Sequence, residues 1–240
     1  MWLWIIATLI AFYIKGLCGF ANTLVFTSIL GFGTDNVNIS PVELVLGYPT
    51  NFILAWKNKK HLKREVWLPL SVMVLGGSIV GAFLLKNVNA QYIKLLFGFV
   101  VIGLGIEMLL CDKTKNREKT GGSKLVLNII GIASGILCGL FGIGALLAAY
   151  VDRVTVGTDE FKANISVVFI VENSFRIILY SILGIITLST LRQSLILVPF
   201  MLVGLFAGMK SGEVIDEKIV RKCVIVLLII SGVMLIIKNL

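Results

Sequence analysis

Residues 2–30 read WLWIIATLIAFYIKGLCGFANTLVFTSIL, an apolar stretch in which Lys15 is the one charged residue. A helix of about 20 apolar residues crosses the hydrocarbon core of a bilayer. This stretch is longer than one straight span needs, and Gly16 and Gly19 lie within four residues after its lysine. It therefore predicts a membrane-embedded helix that is interrupted near Lys15.

The rest of the chain has the same character. Hydrophobic residues make up 58% of the 240 residues and charged residues 15%, and the mean hydropathy is +0.98. Soluble domains are about 45–50% apolar and about 25% charged. Eight apolar segments are long enough to be predicted spans: 2–30, 41–56, 66–85, 91–110, 125–151, 160–183, 191–209 and 219–237. We predict an all-α integral membrane protein with about eight transmembrane helices and no soluble domain.

The remaining composition excludes several classes of protein. The net charge is +9, but the basic residues flank the apolar segments, so nucleic acid is not an expected partner. The start of the chain lacks the basic leader of a cleaved signal peptide, and we interpret it as the first span. Four cysteines without a CxxC pair and a single histidine predict no zinc, haem or other cofactor. Cys18 and Cys138 are interpreted as small packing residues, with a sulfur-exchange role as the alternative.

An internal repeat organises the chain. Gly77 and Gly81 recur as Gly204 and Gly208, at an offset of 127 residues. A slightly smaller offset of 123 relates the glycine pairs of the first and fifth segments: Gly16 and Gly19, with Gly139 and Gly142. We predict a first four-span repeat at 1–110, a cytoplasmic linker at 111–124 and a second four-span repeat at 125–240. Four spans in each half make the repeats parallel, and such duplications are typical of transporters.

Basic loops predict the orientation. Lysines and arginines concentrate in the loops 57–65 and 111–124, and such loops face the cytoplasm. With eight spans, both termini lie on that same side, in the cytoplasmic membrane of the cell, and Glu43 faces outward. Membrane lipid is an expected partner, and the oligomeric state stays open.

Two cations lie inside predicted spans. A charge at the centre of a span costs about 2.5–3.5 kcal/mol on the insertion scale, so Lys15 and Arg176 are functional candidates. Glu172 precedes Arg176 by one helical turn and shares its face. It is either the resting partner of the arginine, a purely structural ion pair, or the carrier of a coupling proton. Asn173 can donate from the same face, and Asn51 matches it at an offset of 122.

The glycine-rich runs of the first and fifth segments support a binding site. Glycine permits a helix break at membrane depth, and the backbone N–H groups that a break exposes attract anions. Arginine adds a forked donor that suits oxyanions. Close helix packing through small residues is the alternative. The predicted substrate-binding residues are Lys15, Gly16, Gly19, Asn22, Asn51, Gly139, Gly142, Gly144, Asn173 and Arg176.

Four stretches carry a resemblance to a known family. They are GLCGFANTLVFTSIL (16–30), SGILCGLFGIGALLAAY (134–150), VVFIVENSFRIILYSILG (167–184) and the closing apolar stretch 195–236. In this order and spacing they resemble the TauE/SafE sulfite-exporter family, over nearly the whole chain. The resemblance implies transport of sulfite, sulfonates or related organic anions. Phe20-Ala21-Asn22 and Gly144-Ala145-Leu146 depart from the family's glycine clusters, and an amide at Asn22 would change selectivity.

Three functions compete. A secondary anion transporter, either a uniporter or proton-coupled, accounts for the repeat, the buried cations and the glycine runs. A membrane enzyme needs clustered acids, histidines or a nucleophile, and this sequence scatters its carboxylates. In an accessory membrane subunit, Arg176 and Glu172 would only pair with each other. We expect a transporter and no enzymatic activity.

Overall fold

The computed structural model describes residues 1–30, 36–87 and 154–215, together with single positions between 95 and 151 and between 222 and 237. Every regular element in these ranges is a helix, which confirms the predicted all-α class. The helices are α1 (Trp2–Cys18), α2 (Asn22–Leu30), α3 (Asn36–Lys57), a 3-10 turn (Lys59–His61), α4 (Arg64–Asn87), α5 (Thr158–Ile182) and α6 (Leu188–Ser211).

Two of these helices meet the length and hydropathy of a membrane span. They are α5 and α6, with mean hydropathies of 1.6 and 1.7, and α1 is apolar but shorter, at 17 residues. Their outer faces carry exposed large apolar side chains, among them Ile182, Leu195 and Val203. The number of spans stays a prediction, because the segments 91–110, 125–151 and 219–237 lie largely outside the described residues.

The first apolar segment is two helices. Gly19 ends α1 in the left-handed conformation, with φ of 86°, and its N–H donates to the Lys15 carbonyl at 2.7 Å. This is the glycine cap that commonly ends a helix. Ala21 also has a positive φ, of 71°, and α2 begins at the next residue. The length and glycines of the segment predict this break. The matching positions 139–143 of the fifth segment lie outside the described residues.

Beyond the break, α2 folds back along α1. The Phe26 ring packs edge-on against the Trp4 ring, with centroids 5.8 Å apart. Val25, Phe26 and Leu30 share one apolar cluster with Ala7 and Ala11. Residues 1–30 therefore form a helical hairpin whose tip is the break. The chain leaves this hairpin on the side where it entered.

Helix directions follow from paired contacts. An added Cβ at Gly204 would lie 2.6 Å from the Leu9 carbonyl oxygen. One turn further along both helices, an added Cβ at Gly208 would meet the backbone of Tyr13. These successive contacts make α1 and α6 parallel, and they show that the glycines of α6 serve close packing.

The helix α3 runs parallel to α6 and antiparallel to α5. Lys57, at the end of α3, forms an ion pair of 2.8 Å with Glu213, just after α6. Ser40 lies 3.3 Å from the Tyr180 hydroxyl. Further down α3, Tyr48 bonds to Ser174, nearer the start of α5. The short loop 58–63 then turns α4 back against the direction of α3.

These directions correct two expectations. The repeat offsets relate α3 to α5 and α4 to α6, and each of these pairs points in opposite directions. A repeat in the described helices is thus inverted, and the predicted parallel arrangement is wrong. The physical reason is the hairpin, which returns the chain to the side where α1 begins and so reverses the predicted direction of α3 and α4. The residue-1 end of α1 and the loop 58–63 consequently lie at opposite ends of the bundle. The prediction of eight straight spans had placed them on the same side of the membrane.

The packing contacts also follow the repeat. An added Cβ at Gly77 would lie 2.6 Å from the Ile132 carbonyl oxygen, which reproduces the contact of Gly204 with Leu9. Gly77 matches Gly204, and Ile132 matches Leu9 at the offset of 123. Each half thus packs a glycine-bearing helix against the start of the other half's glycine-rich segment.

Candidate functional site

A small cavity lies where the hairpin tip meets α3, α5 and Gly144. Its volume is about 20 Å³, which is room for about one water molecule. Five of the predicted site residues line it: Lys15, Asn22, Asn51, Gly144 and Asn173. The other described residues that line it are Phe20, Ala21, Thr23, Leu24, Glu43 and Phe169. Residues from both halves of the chain therefore meet at one polar point inside an apolar bundle.

Lys15 brings a buried positive charge to this point. The side chain lies in the last turn of α1 and is only 1% exposed. Its ammonium donates to the Gly47 carbonyl of α3 at 3.3 Å. Burial of a cation away from water is costly unless it is paired. One neutral carbonyl partner leaves capacity for an anion beside it.

The start of α2 adds backbone donors. The first N–H groups of any helix have no partner within that helix and carry a partial positive charge. In α2 the first intrahelical bond runs from the N–H of Val25 to the Ala21 carbonyl, at 3.1 Å. The residues in between, 22–24, line the cavity. The hairpin tip therefore presents a helix N-terminus to the space that Lys15 borders.

Asn51 faces the cavity without a protein partner. The residue is 0% exposed, and neither its amide nitrogen nor its amide oxygen meets a protein hydrogen-bonding group. An unpaired buried polar group costs about 1–3 kcal/mol. Asn164 of α5 is equally buried, but its amide bonds to the backbone of Glu160, His61 and Lys63. The donor and the acceptor of Asn51, unlike those of Asn164, are therefore not used within the protein.

Glu43 is the site residue that the sequence analysis missed. It was expected on the outer side of the membrane and was not named as a site residue; it is 3% exposed and lines the cavity. Its Oε1 accepts hydrogen bonds from the Asn22 amide and from the Thr23 hydroxyl, the latter at 2.8 Å. The predicted span 41–56 placed Glu43 close to its start, whereas α3 begins at Asn36 and holds Glu43 two turns inside the helix. Its spacing of four and eight residues from Gly47 and Asn51 put it on their face and was the available signal.

Arg176 and Glu172 lie beside the cavity and do not line it. The Arg176 Nη2 donates to Ser40 Oγ at 3.1 Å and to the Tyr180 hydroxyl at 3.3 Å. Its Nε lies 3.7 Å from the Glu172 carboxylate, and both side chains are buried. The predicted ion pair is present, and the hydrogen bond from Arg176 to Ser40 connects it to α3. The arginine fork points at hydroxyl groups rather than at the cavity.

The predicted glycines divide by role. Gly16 packs against the backbone of Leu205 and Gly208, so its position serves the α1–α6 contact. Gly19 caps α1, and the Lys162 ammonium covers the helix end by donating to the Gly16 carbonyl at 3.2 Å. Of the second run, Gly139 and Gly142 lie outside the described residues. Within the described ranges, no cluster of three or more His, Cys, Asp or Glu could hold a metal ion.

The comparison with protein families is decisive for identity. The family model for the sulfite exporter TauE/SafE matches residues 4–235. The chain belongs to the TauE/SafE family. The resemblance read from its apolar stretches is thereby confirmed. No curated protein and no solved structure matches the chain. Membership in the TauE/SafE family makes the protein a membrane transporter of the sulfur-anion class.

Proposed function

We propose that this TauE/SafE protein is a secondary transporter that moves sulfite, a sulfonate or a related small oxyanion across the cytoplasmic membrane through the cavity at the hairpin tip. The observation that carries the proposal is the unpartnered Asn51 amide beside the buried Lys15 ammonium. A cation, amide donors and a helix N-terminus are the groups that bind oxyanions in proteins. Asn22, Asn173 and Gly144 complete the wall.

The size of the cavity supports a closed conformation. A space of about 20 Å³ holds about one water, and an anion with a sulfur and three oxygens needs more. A site of this size has to widen to hold the anion, and transport requires it to open to each side of the membrane in turn. Inverted repeats support such alternation by exchanging the conformations of their two halves. The strained Ala21 tip, with φ of 71°, is our candidate for a moving part.

We infer that the loop 58–63 faces the cytoplasm. Five basic residues mark that end of the bundle: Lys57, Lys59, Lys60, Lys63 and Arg64. Cytoplasmic loops are enriched in lysine and arginine. The residue-1 end of α1 then faces outward. Labelling a single cysteine at position 60 with an impermeant maleimide tests this: we expect labelling only after the cells are permeabilised, and labelling of intact cells contradicts it.

Flux measurements test transport directly. The purified protein in liposomes should take up labelled sulfite or a labelled sulfonate saturably, and unlabelled oxyanions should compete, whereas a neutral solute of similar size should not. Protein-free liposomes provide the background. A folded protein that moves none of these anions contradicts the proposal and favours the accessory-subunit alternative.

A pair of variants separates a substrate role of Arg176 from an ion-pair role. Arg176→Ala removes the cation but leaves the buried Glu172 unpaired, which costs about 3–5 kcal/mol. The combination of Arg176→Ala with Glu172→Gln removes that penalty. If the arginine attracts the substrate, flux at limiting substrate stays low in both variants. Recovery of flux in the double variant would mean that the Arg176–Glu172 ion pair has a structural role only.

A further inference from the structure

One carboxylate already holds the donors that an incoming anion needs. Glu43 Oε1 accepts from the Asn22 amide and from the Thr23 hydroxyl, both in the first turn of α2. The Lys15 ammonium converges on the same point. An added Cβ at Gly47 would lie 3.1 Å from Glu43 Oε1 and 3.9 Å from Lys15 Nζ. The carboxylate therefore sits where an oxyanion bound by Lys15 and the α2 N-terminus would place an oxygen.

The charges around Glu43 balance when it is ionised. Lys15 faces it from α1, and Arg176 and Glu172 lie within electrostatic range from α5. The α2 residues beside it carry an amide and a hydroxyl without charge. Two cations and two carboxylates cancel, and an added anion next to an ionised Glu43 meets a like charge. With a proton on Glu43, the group of four has a net positive charge.

We propose that Glu43 is an internal competitor of the transported anion, which occupies the oxyanion subsite when ionised and yields the site when protonated. One proton then binds with each anion, is carried by a Glu43 oxygen and leaves with the anion on the other side. This inference rests on the proposed function and deepens it by naming the coupling residue. The sequence pointed to Glu172 for this role, but Glu172 faces Arg176 and does not line the cavity.

Binding of methanesulfonate to the purified full-length protein tests the proposal. Sulfite gains a proton near neutral pH, whereas methanesulfonate keeps its charge, so any pH dependence belongs to the protein. Calorimetric titrations between pH 5 and 8 should show wild-type affinity falling by up to about tenfold per pH unit as Glu43 ionises. Glu43→Gln should lose the part of this slope that Glu43 contributes, and its affinity should match that of the wild type at low pH. Glu172→Gln is the matched control and should keep the wild-type slope.

A second measurement does not depend on a variant. In weakly buffered solution above the protonation range of Glu43, the wild type should take up close to one proton for each methanesulfonate bound. A Glu43→Gln variant that keeps the wild-type pH slope, or a wild type that binds without proton uptake, overturns the role of Glu43. A wild type that binds neither methanesulfonate nor sulfite at any pH overturns the proposed function itself.

Discussion

Replacing Asn51 with leucine should stabilise the folded protein and weaken its binding of the transported anion. Leucine has the same number of side-chain heavy atoms as asparagine and branches at the same carbon, although its methyl groups are bulkier, and Asn51 is fully buried with no protein partner for either amide atom. Each unpaired buried polar group costs about 1–3 kcal/mol. A water molecule in the cavity can satisfy part of the Asn51 amide, which reduces this cost. We therefore expect a net gain of about 1–2 kcal/mol in the free energy of unfolding.

The corresponding shift is measurable in detergent. For a chain of this size, 1 kcal/mol corresponds to about 2–4 °C in the unfolding temperature. Asn51→Leu should therefore raise the unfolding temperature by about 2–8 °C. Loss of a hydrogen bond to a charged ligand costs about 1.5–3 kcal/mol, so the same variant should bind the anion at least about tenfold more weakly.

Asn164 supplies the matched control. It is as buried as Asn51, but its Oδ1 accepts from the Lys63 N–H at 3.0 Å and its Nδ2 donates to the Glu160 carbonyl at 2.8 Å. Asn164→Leu should lower stability by about 2–4 kcal/mol, because it leaves these backbone groups unpaired. Equal destabilisation by the two substitutions refutes the reasoning, since Asn51 would then have a protein partner.

Three further outcomes follow from local geometry. Ala21→Gly should relieve part of the roughly 1–2 kcal/mol cost of a positive φ and leave the unfolding temperature unchanged or raised, whereas Ala21→Val should lower it. Gly208→Ala should prevent stable folding because its Cβ overlaps the Tyr13 backbone, whereas Gly76→Ala, with open space around it, should unfold like the wild type. The hydrogen bond from Lys57 lowers the pKa of Glu213, so that ion pair contributes fully above the ordinary pKa of a glutamate and is lost as the pH falls through the lowered value. Glu213→Gln and wild-type unfolding temperatures should thus converge in acid.

Much of the fold and part of the site could be predicted from the sequence. Apolar runs and their basic flanks are strong signals for membrane helices, and the excess length after Lys15 predicts the break at Gly19. Lys15, Asn51 and Asn173 stood out because polar residues inside apolar runs are costly, and Asn22 stood out because it departs from the family's glycine cluster. The structure brings these four to one cavity.

Helix direction could not be predicted from the same signals. A hydropathy pattern is the same whichever way a helix points, and the return of α2 depends on the contact of Phe26 with Trp4. The expectation of a parallel repeat failed at that point. Glu43 was missed because the start of α3 was placed five residues too late, which put this carboxylate near the start of the predicted span rather than deep within it. Arg176 was expected at the substrate, but Ser40 and Tyr180 hold its fork.

The central claim is that the cavity beside Lys15 is the anion site, and flux through two lysine variants tests it most directly. Lys15 and Lys162 are both buried, and both donate to a backbone carbonyl, but only Lys15 lines the cavity. In liposomes at limiting sulfite, the uptake rate of Lys15→Gln should be at least about tenfold lower than that of the wild type, which corresponds to the loss of one charged interaction. Lys162→Gln, once shown to be folded, should retain most of it. Equal flux in the wild type and Lys15→Gln would contradict the account.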